Sequence, residues 1–293
     1  MARRKNESIF SLLSIKSPIG KQIWLCVLVV CGFTASCCLL WNHLESEIVE
    51  NESFMLQPDK IVVSTKPDWI NNDIRKDLIR TEKIQIPVDI RDQLLAENLS
   101  KAFKAHAWVK DVVRVSKQYP AKVTIELEYR KPVAMVEVFE NDKYGLLPVD
   151  ETGVLLPPDD FSKSQASKYP RINVGLLPTT ADLGEHWGDN RVEQAAMIAS
   201  ILLDVWEKLD LHRIVAVEQE GITYFEIHTR NKQRIIWGSA PGNEQPHESI
   251  ATQKLGFLQN RNTIAKQVST QSQTILDLRN PARLSQSSET APK

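Results

Sequence analysis

From Ile23 to Trp41 the chain reads "IWLCVLVVCGFTASCCLLW", a run with no charged residue and no alternation. At 1.5 Å per residue it has about the length that crosses a hydrocarbon core of ~30 Å. Trp24 and Trp41 stand at its ends, where amphipathic rings prefer the interface. A cleaved signal peptide is the competing reading, but its apolar region is typically only about 7–15 residues. The pattern therefore predicts an uncleaved transmembrane helix over 22–42, after a tail over 1–21. Arg3, Arg4, Lys5, Lys16 and Lys21 precede the run, and Glu45, Glu47, Glu50 and Glu52 follow it. Basic flanks stay on the cytoplasmic side, so the tail is expected inside and everything from residue 42 outside.

Beyond a polar stalk over 43–59 the pattern changes to short amphipathic periods. "KIVVS" (60–64) reads as a strand. Ile70, Ile74 and Leu78 fall at helical spacing. A second helix is expected after Pro87, with Asp89 as its cap and Ile90, Leu94, Leu95, Leu99 and Phe103 as its apolar stripe. "VKDVVRVSKQ" and "AKVTIELEYR" then alternate at period two around a Tyr119–Lys122 turn, with Val123, Ile125, Leu127 and Tyr129 on one face. The expected order is strand, helix, helix, strand, strand, a compact α+β unit over 60–130 with helices on one sheet face.

Arg130-Lys131-Pro132 interrupts the alternation, and a second extended run starts at once. Pro132 fixes its own φ and pushes Lys131 toward extended geometry, so these three residues are the expected interdomain junction. "PVAMVEVF", "KYGLLPVD" and "GVLLP" read as a meander. An irregular connection over 157–190 contains "RINV". A helix runs from an Asp189 or Asn190 cap along Ile198, Ile201, Leu202, Val205 and Leu209. "RIVAVEQ", "ITYFEIHT" and "QRIIWG" are strands; a helix over 248–268 and a last strand "TILDLR" complete a β-rich domain over 131–280 with two helices. The Ser- and Pro-bearing tail over 281–293 is expected to be disordered.

Composition adds limits. The chain is 42% hydrophobic and 25% charged with a formal net charge of -1, which gives no reason to expect nucleic-acid binding. Cys26, Cys31, Cys37 and Cys38 all lie in the apolar run, so no disulfide framework is expected outside it. The histidines, His43, His106, His186, His212, His228 and His247, show no metal-binding spacing, and neither a phosphate loop nor a nucleophile elbow occurs. Asp150 and Glu151 beside Gly153 read as a turn. The expectation is no enzyme, no catalytic or metal residue, no cofactor and no small-molecule substrate. A type II membrane glycosyltransferase would fit the topology and the Asn51 and Asn98 sequons, but its usual Asp-x-Asp metal motif is missing.

The order of elements resembles the FtsQ/DivIB family of bacterial cell-division proteins. The most specific stretch is "WVKDVVRVSKQYPAKVTIELEYRKPVAMVEV", where Trp108, Val109, Arg114, Pro120, Val123, Ile125, Arg130, Pro132, Val133 and Ala134 match the family pattern. "PVDETGVLLP" resembles its next element through Asp150 and Gly153, "RIIWG" a strand ending in Gly, and "TILDLR" its late strand through Asp277, Leu278 and Arg279. Two departures stand out: "STKPDW" replaces a Gly-Asn after the first strand, and Asn280-Pro281 replaces a tyrosine and a further strand. The resemblance implies a POTRA domain followed by the family's β-domain. It implies a bitopic inner-membrane scaffold at the division septum, periplasmic beyond its span. That scaffold would gather single-span partners like FtsB and FtsL and so regulate septal wall synthesis. The partner segment is expected to add as a strand at Thr274, Ile275, Leu276, Asp277, Leu278 and Arg279. A POTRA-bearing transport accessory is the alternative.

Overall fold

The computed structural model describes residues 18–49, 52–140, 142–175, 181–260 and 275–280. The first seventeen residues, Thr274 and the tail from Pro281 lie outside these, as does the 261–268 part of the expected second helix. Contacts divide the chain into two compact units, Met1–Met55 and Leu56–Lys293.

In the first unit, helix α1 spans Pro18–Val49. Its Trp24–Asn42 stretch has a mean hydropathy of 2.2 and buries none of its side chains, so it is long and apolar enough to cross a membrane. The expected span lies inside α1, and the helix runs on into the expected stalk. Thr34 turns its hydroxyl back to the Val30 carbonyl at 3.0 Å, which satisfies a polar group inside the apolar stretch.

The second unit is a mixed α+β body. Its first part is a three-stranded sheet in the order β1–β3–β2, from β1 (Ile61–Val63), β2 (Val109–Gln118) and β3 (Lys122–Tyr129). β1 runs parallel to β3, with Ile61 opposite Val123, and β2 runs antiparallel to it. Alternation places Val123, Ile125 and Leu127 in the interior while Glu126 and Glu128 stay exposed. Helices α2 (Ile74–Arg80) and α3 (Leu95–Lys104) bury Ile74, Leu78, Leu95, Leu99 and Phe103.

Asp73 caps α2, accepting from the Arg75 and Lys76 amides. Asp89 caps nothing. It takes the Arg91 amide at 2.8 Å and the Arg91 guanidinium at 2.6 Å, and α3 begins only at Leu95. Leu94 is the residue before the first turn and is 59% exposed, out of the stripe.

The second part is a seven-stranded sheet from β4 (Pro132–Glu140), β5 (Lys143–Asp150), β6 (Arg171–Asn173), β7 (Leu211–Gln219), β8 (Ile222–Thr229), β9 (Arg234–Gly238) and β10 (Ile275–Asp277), in the order β10–β9–β8–β7–β6–β4–β5. The expected meander holds for the β4–β5 hairpin, and its third run returns along β5 through an antiparallel bridge of Leu155 to Val149. β6, drawn from the supposed irregular connection, inserts at the centre and runs parallel to both neighbours. Helix α4 (Asn190–Leu202), capped by Asp189, lies against the central strands, with α5 (Ala251–Gln259) beside it. Ala195, Ala196 and Ala199 are fully buried in that contact, where small side chains let helix and sheet approach. Val136, Ile172, Ile214, Phe225, Ile227 and Trp237 complete this core. Ile201 of the expected stripe packs only at its margin.

One titration follows from the packing. Burial first, against a partial pull from Asp77, holds the His106 imidazole below its ordinary value; burial and then Arg171, Arg213 and Arg230 do the same for His212. His106 Nδ1 accepts the Trp108 amide at 3.2 Å, a bond that an imidazolium could not keep. With folded values depressed, the unfolded chain binds more protons below about pH 6.5, so stability is full above that and falls as pH drops through the folded values. Thermal melts should show a lower midpoint at about pH 5 than at about pH 7, and His106→Asn should flatten that slope. An unchanged slope would locate the acid sensitivity elsewhere.

Candidate functional site

Of the six residues expected to hold a partner, Ile275–Asp277 form β10 at one end of the seven-stranded sheet. β10 runs parallel to β9, with Arg234 opposite Ile275, Ile235 opposite Leu276 and Ile236 opposite Asp277. Leu278 donates its amide to the Ile236 carbonyl at 2.9 Å. Because N–H and C=O of one residue share a side and neighbours alternate, Leu276 bonds inward while Ile275 and Asp277 turn both groups outward. Among the described residues no strand pairs with that outer side. Ile275 is 52% exposed and Leu278 fully buried, so the segment is anchored at one end and open at the other.

What anchors it is an ion pair inside the protein. Lys254 is fully buried and its Nζ lies 2.6 Å from Glu248 Oε1. The same carboxylate accepts the Ser239 amide at 2.7 Å and the Gln245 amide at 2.9 Å. Burial pushes the Glu248 carboxyl up, but the Lys254 ammonium and these amides outweigh it and hold it below the ordinary glutamate value. Lys254 Nζ also sits 5.1 Å from the centre of the Trp237 ring. Gly238, at φ +92°, has no room for a side chain: a Cβ would run into the Glu248 carboxylate and come within 2.8 Å of Arg279. Next to Glu248, Ser249 donates to the Arg279 carbonyl at 2.8 Å. The buried pair thus sets the turn after β9, and that turn holds the end of β10.

The expected junction is a knot of bonds. Arg130 Nη1 lies 2.7 Å from Asp150 Oδ2, and the Asp150 side chain is only 3% exposed. Asp150 Oδ1 accepts the Thr152 amide, the Thr152 hydroxyl and the Val154 amide, closing the turn read from "VDETG". The Arg130 amide donates to the Trp108 carbonyl, and its carbonyl accepts from Trp69 Nε1 at 3.1 Å. Trp108 Nε1 in turn donates to Asp160 Oδ2 at 2.6 Å. Pro132 begins β4 opposite Asp150. Residues from both sheets therefore converge on Arg130.

Sequence reasoning missed the face of the large sheet that is turned away from α4. Glu226 points there between the core residues Phe225 and Ile227, and is almost fully buried. Arg234 meets it at 2.5 Å and His228 at 3.2 Å. Burial raises this carboxyl, yet those two partners leave it below the ordinary value. Glu137 is buried in the same way among Arg171, Asn173 and Arg213. A sequence signal existed in the basic residues at matching strand positions, but it needs the strand order to be read. Among the described residues, no group of three or more His, Cys, Asp or Glu side chains could hold a metal ion. Comparison with models of known protein families and with curated proteins gave no match to this chain.

Proposed function

We propose that this protein is a non-enzymatic scaffold of the FtsQ/DivIB kind. It is anchored in the bacterial inner membrane by α1 with its tail inside, and it gathers single-span division proteins at the septum. In this reading the three-stranded layer with α2 and α3 serves as a POTRA-type docking module. The large sheet takes a partner segment, of the FtsB or FtsL type, as an added strand alongside β10. The observation that carries the reading is the outer side of β10, where Ile275 and Asp277 offer backbone donors and acceptors from a strand whose own position is braced by the buried Glu248–Lys254 pair. An apolar helix of membrane-crossing length supports the anchor.

Ile275→Pro tests this reading, because it deletes one outward N–H and spares the inward bonds of Leu276 and Leu278. Capture of the single-span division proteins should fall by about tenfold or more, the equivalent of ~1.4 kcal/mol, while the melting midpoint moves little. Undiminished capture by the folded variant would refute strand addition at this edge. A fluorescent fusion should form a mid-cell band in dividing cells; uniform envelope staining would favour a transport accessory.

A further inference from the structure

The face of the large sheet away from α4 carries a second feature, at the opposite end of the sheet from β10 and independent of the scaffold reading. Glu137 lies between the core residues Val136 and Val138, Arg171 and Asn173 flank the core residue Ile172, and Arg213 precedes the core residue Ile214. Alternation therefore turns all four to the face away from α4, from three adjacent strands, β4, β6 and β7. They line a cavity of about 790 Å³, whose remaining walls come from the β5 side, through Tyr144 and Leu146, and from the 158–167 segment, through Phe161 and Lys163. That volume is within the ~300–1,000 Å³ usual for small-ligand sites.

The polar end is unbalanced. Arg213 Nη2 lies 2.9 Å and Arg171 Nη1 3.8 Å from the same Glu137 oxygen, while Asn173 Nδ2 donates to the other oxygen at 2.9 Å. Two guanidinium groups thus share one carboxylate, and Lys163 stands on the wall with them. Arg213 Nε is buried and has no hydrogen-bond partner among the described residues. Each guanidinium presents five donors, so most of this set is not used by Glu137. Guanidinium forks match planar oxyanions, and the inner end, with two cations to one anion, suits a single negative charge. A phosphate dianion would bring extra charge against Glu137. The walls beyond, Tyr144, Leu146, Met135 and Phe161, suit an apolar group next to that charge.

We propose that this cavity binds the free C-terminal carboxylate of a short peptide ending in an apolar residue. The carboxylate is held by Arg171 and Arg213, and the terminal side chain lies against Tyr144, Leu146 and Phe161. Glu137 orients both arginines and competes with the ligand for them.

The test uses the full chain in detergent micelles and isothermal titration with acetyl-Ala-Ala-Ala-Leu, as the free acid and as the C-terminal amide. The acid should bind saturably and the amide at least about tenfold more weakly, since the amide loses the charge-assisted pair. Glu137→Gln, which removes the internal competitor, should tighten the acid severalfold and leave the amide unchanged. Arg213→Gln should weaken the acid by about tenfold or more. If the single variant does not fold, the Glu137→Gln/Arg213→Gln double variant, which leaves no lone buried carboxylate, should show the same loss relative to Glu137→Gln. The proposal falls if acid and amide bind alike, if the acid does not bind up to about 10 mM, if Glu137→Gln changes nothing, or if inorganic phosphate displaces the acid at equal concentration.

Discussion

Lys254→Met should lower the melting midpoint of the full chain by roughly 10 °C. Removing one member of a buried ion pair costs about 3–5 kcal/mol, because the other charge is left without compensation in a medium that solvates it poorly. For a unit of this size each kcal/mol shifts the midpoint by about 2–4 °C. Here the abandoned group is Glu248, whose side chain is only 4% exposed. The result to look for is rescue. Glu248→Gln keeps a carbonyl oxygen for the Ser239 or Gln245 amide and removes the charge, so Lys254→Met with Glu248→Gln should recover more than half of the loss. Replacing both by hydrocarbon should recover less, since both amides would be left unpaired. Circular dichroism melts decide it; a single variant within about 2 °C of the parent would mean the pair is hydrated and cheap to break. Gly238→Ala should act in the same direction through the Glu248 carboxylate it would displace. Since the same turn holds the Arg279 carbonyl, under the proposed strand addition either change should also reduce capture more than its distance from Ile275 suggests.

The second large effect is expected at the junction. Asp150→Ala strips Arg130 of its only ion-pair partner among the described residues and opens the turn that three donors close on Asp150 Oδ1. The cost should again be about 3–5 kcal/mol. Asp150→Asn separates the two roles. It keeps an acceptor for Thr152 and Val154 and loses only the charge, so it should cost about half as much. Because Arg130 also bonds Trp108 and Trp69, loss of its partner should loosen the connection between the two sheets. Limited proteolysis reports this: Asp150→Ala should be cut after Arg130 under conditions where the parent and Asp150→Asn are not. Equal resistance of all three would show that Trp108 and Asp160 carry the connection without Asp150.

These two sites also mark what the chain reveals before folding. Periodic segments that bury one face against their own neighbours are legible: α1, the Val123–Leu127 alternation, the Asp189 cap and the strands β7 to β9 follow from local pattern. Asp89 misleads because a neighbouring arginine takes its carboxylate, a two-residue contest that spacing does not resolve. β6 is invisible as a central strand because three residues in a loop-like stretch acquire their place only from parallel partners far away. The same holds for charge. Glu137 and Glu226 are buried by partners that strand pairing brings together, and Lys254 by the fold of the turn that carries Glu248. The edge at Ile275–Asp277 was legible as a candidate through resemblance, while the buried pair that braces it was not.

The brevity of β10 has a consequence of its own. Two residues facing outward offer four backbone groups, and at about 0.5–1.5 kcal/mol net per hydrogen bond the ladder alone yields only millimolar-scale attraction. A grip that slight does not polymerise: copies of this chain can meet at this strand and separate again, as a short edge is meant to ensure. In the proposed scaffold, lasting companionship must then come from side-chain fit and from a shared bilayer, which would make every later encounter nearly intramolecular.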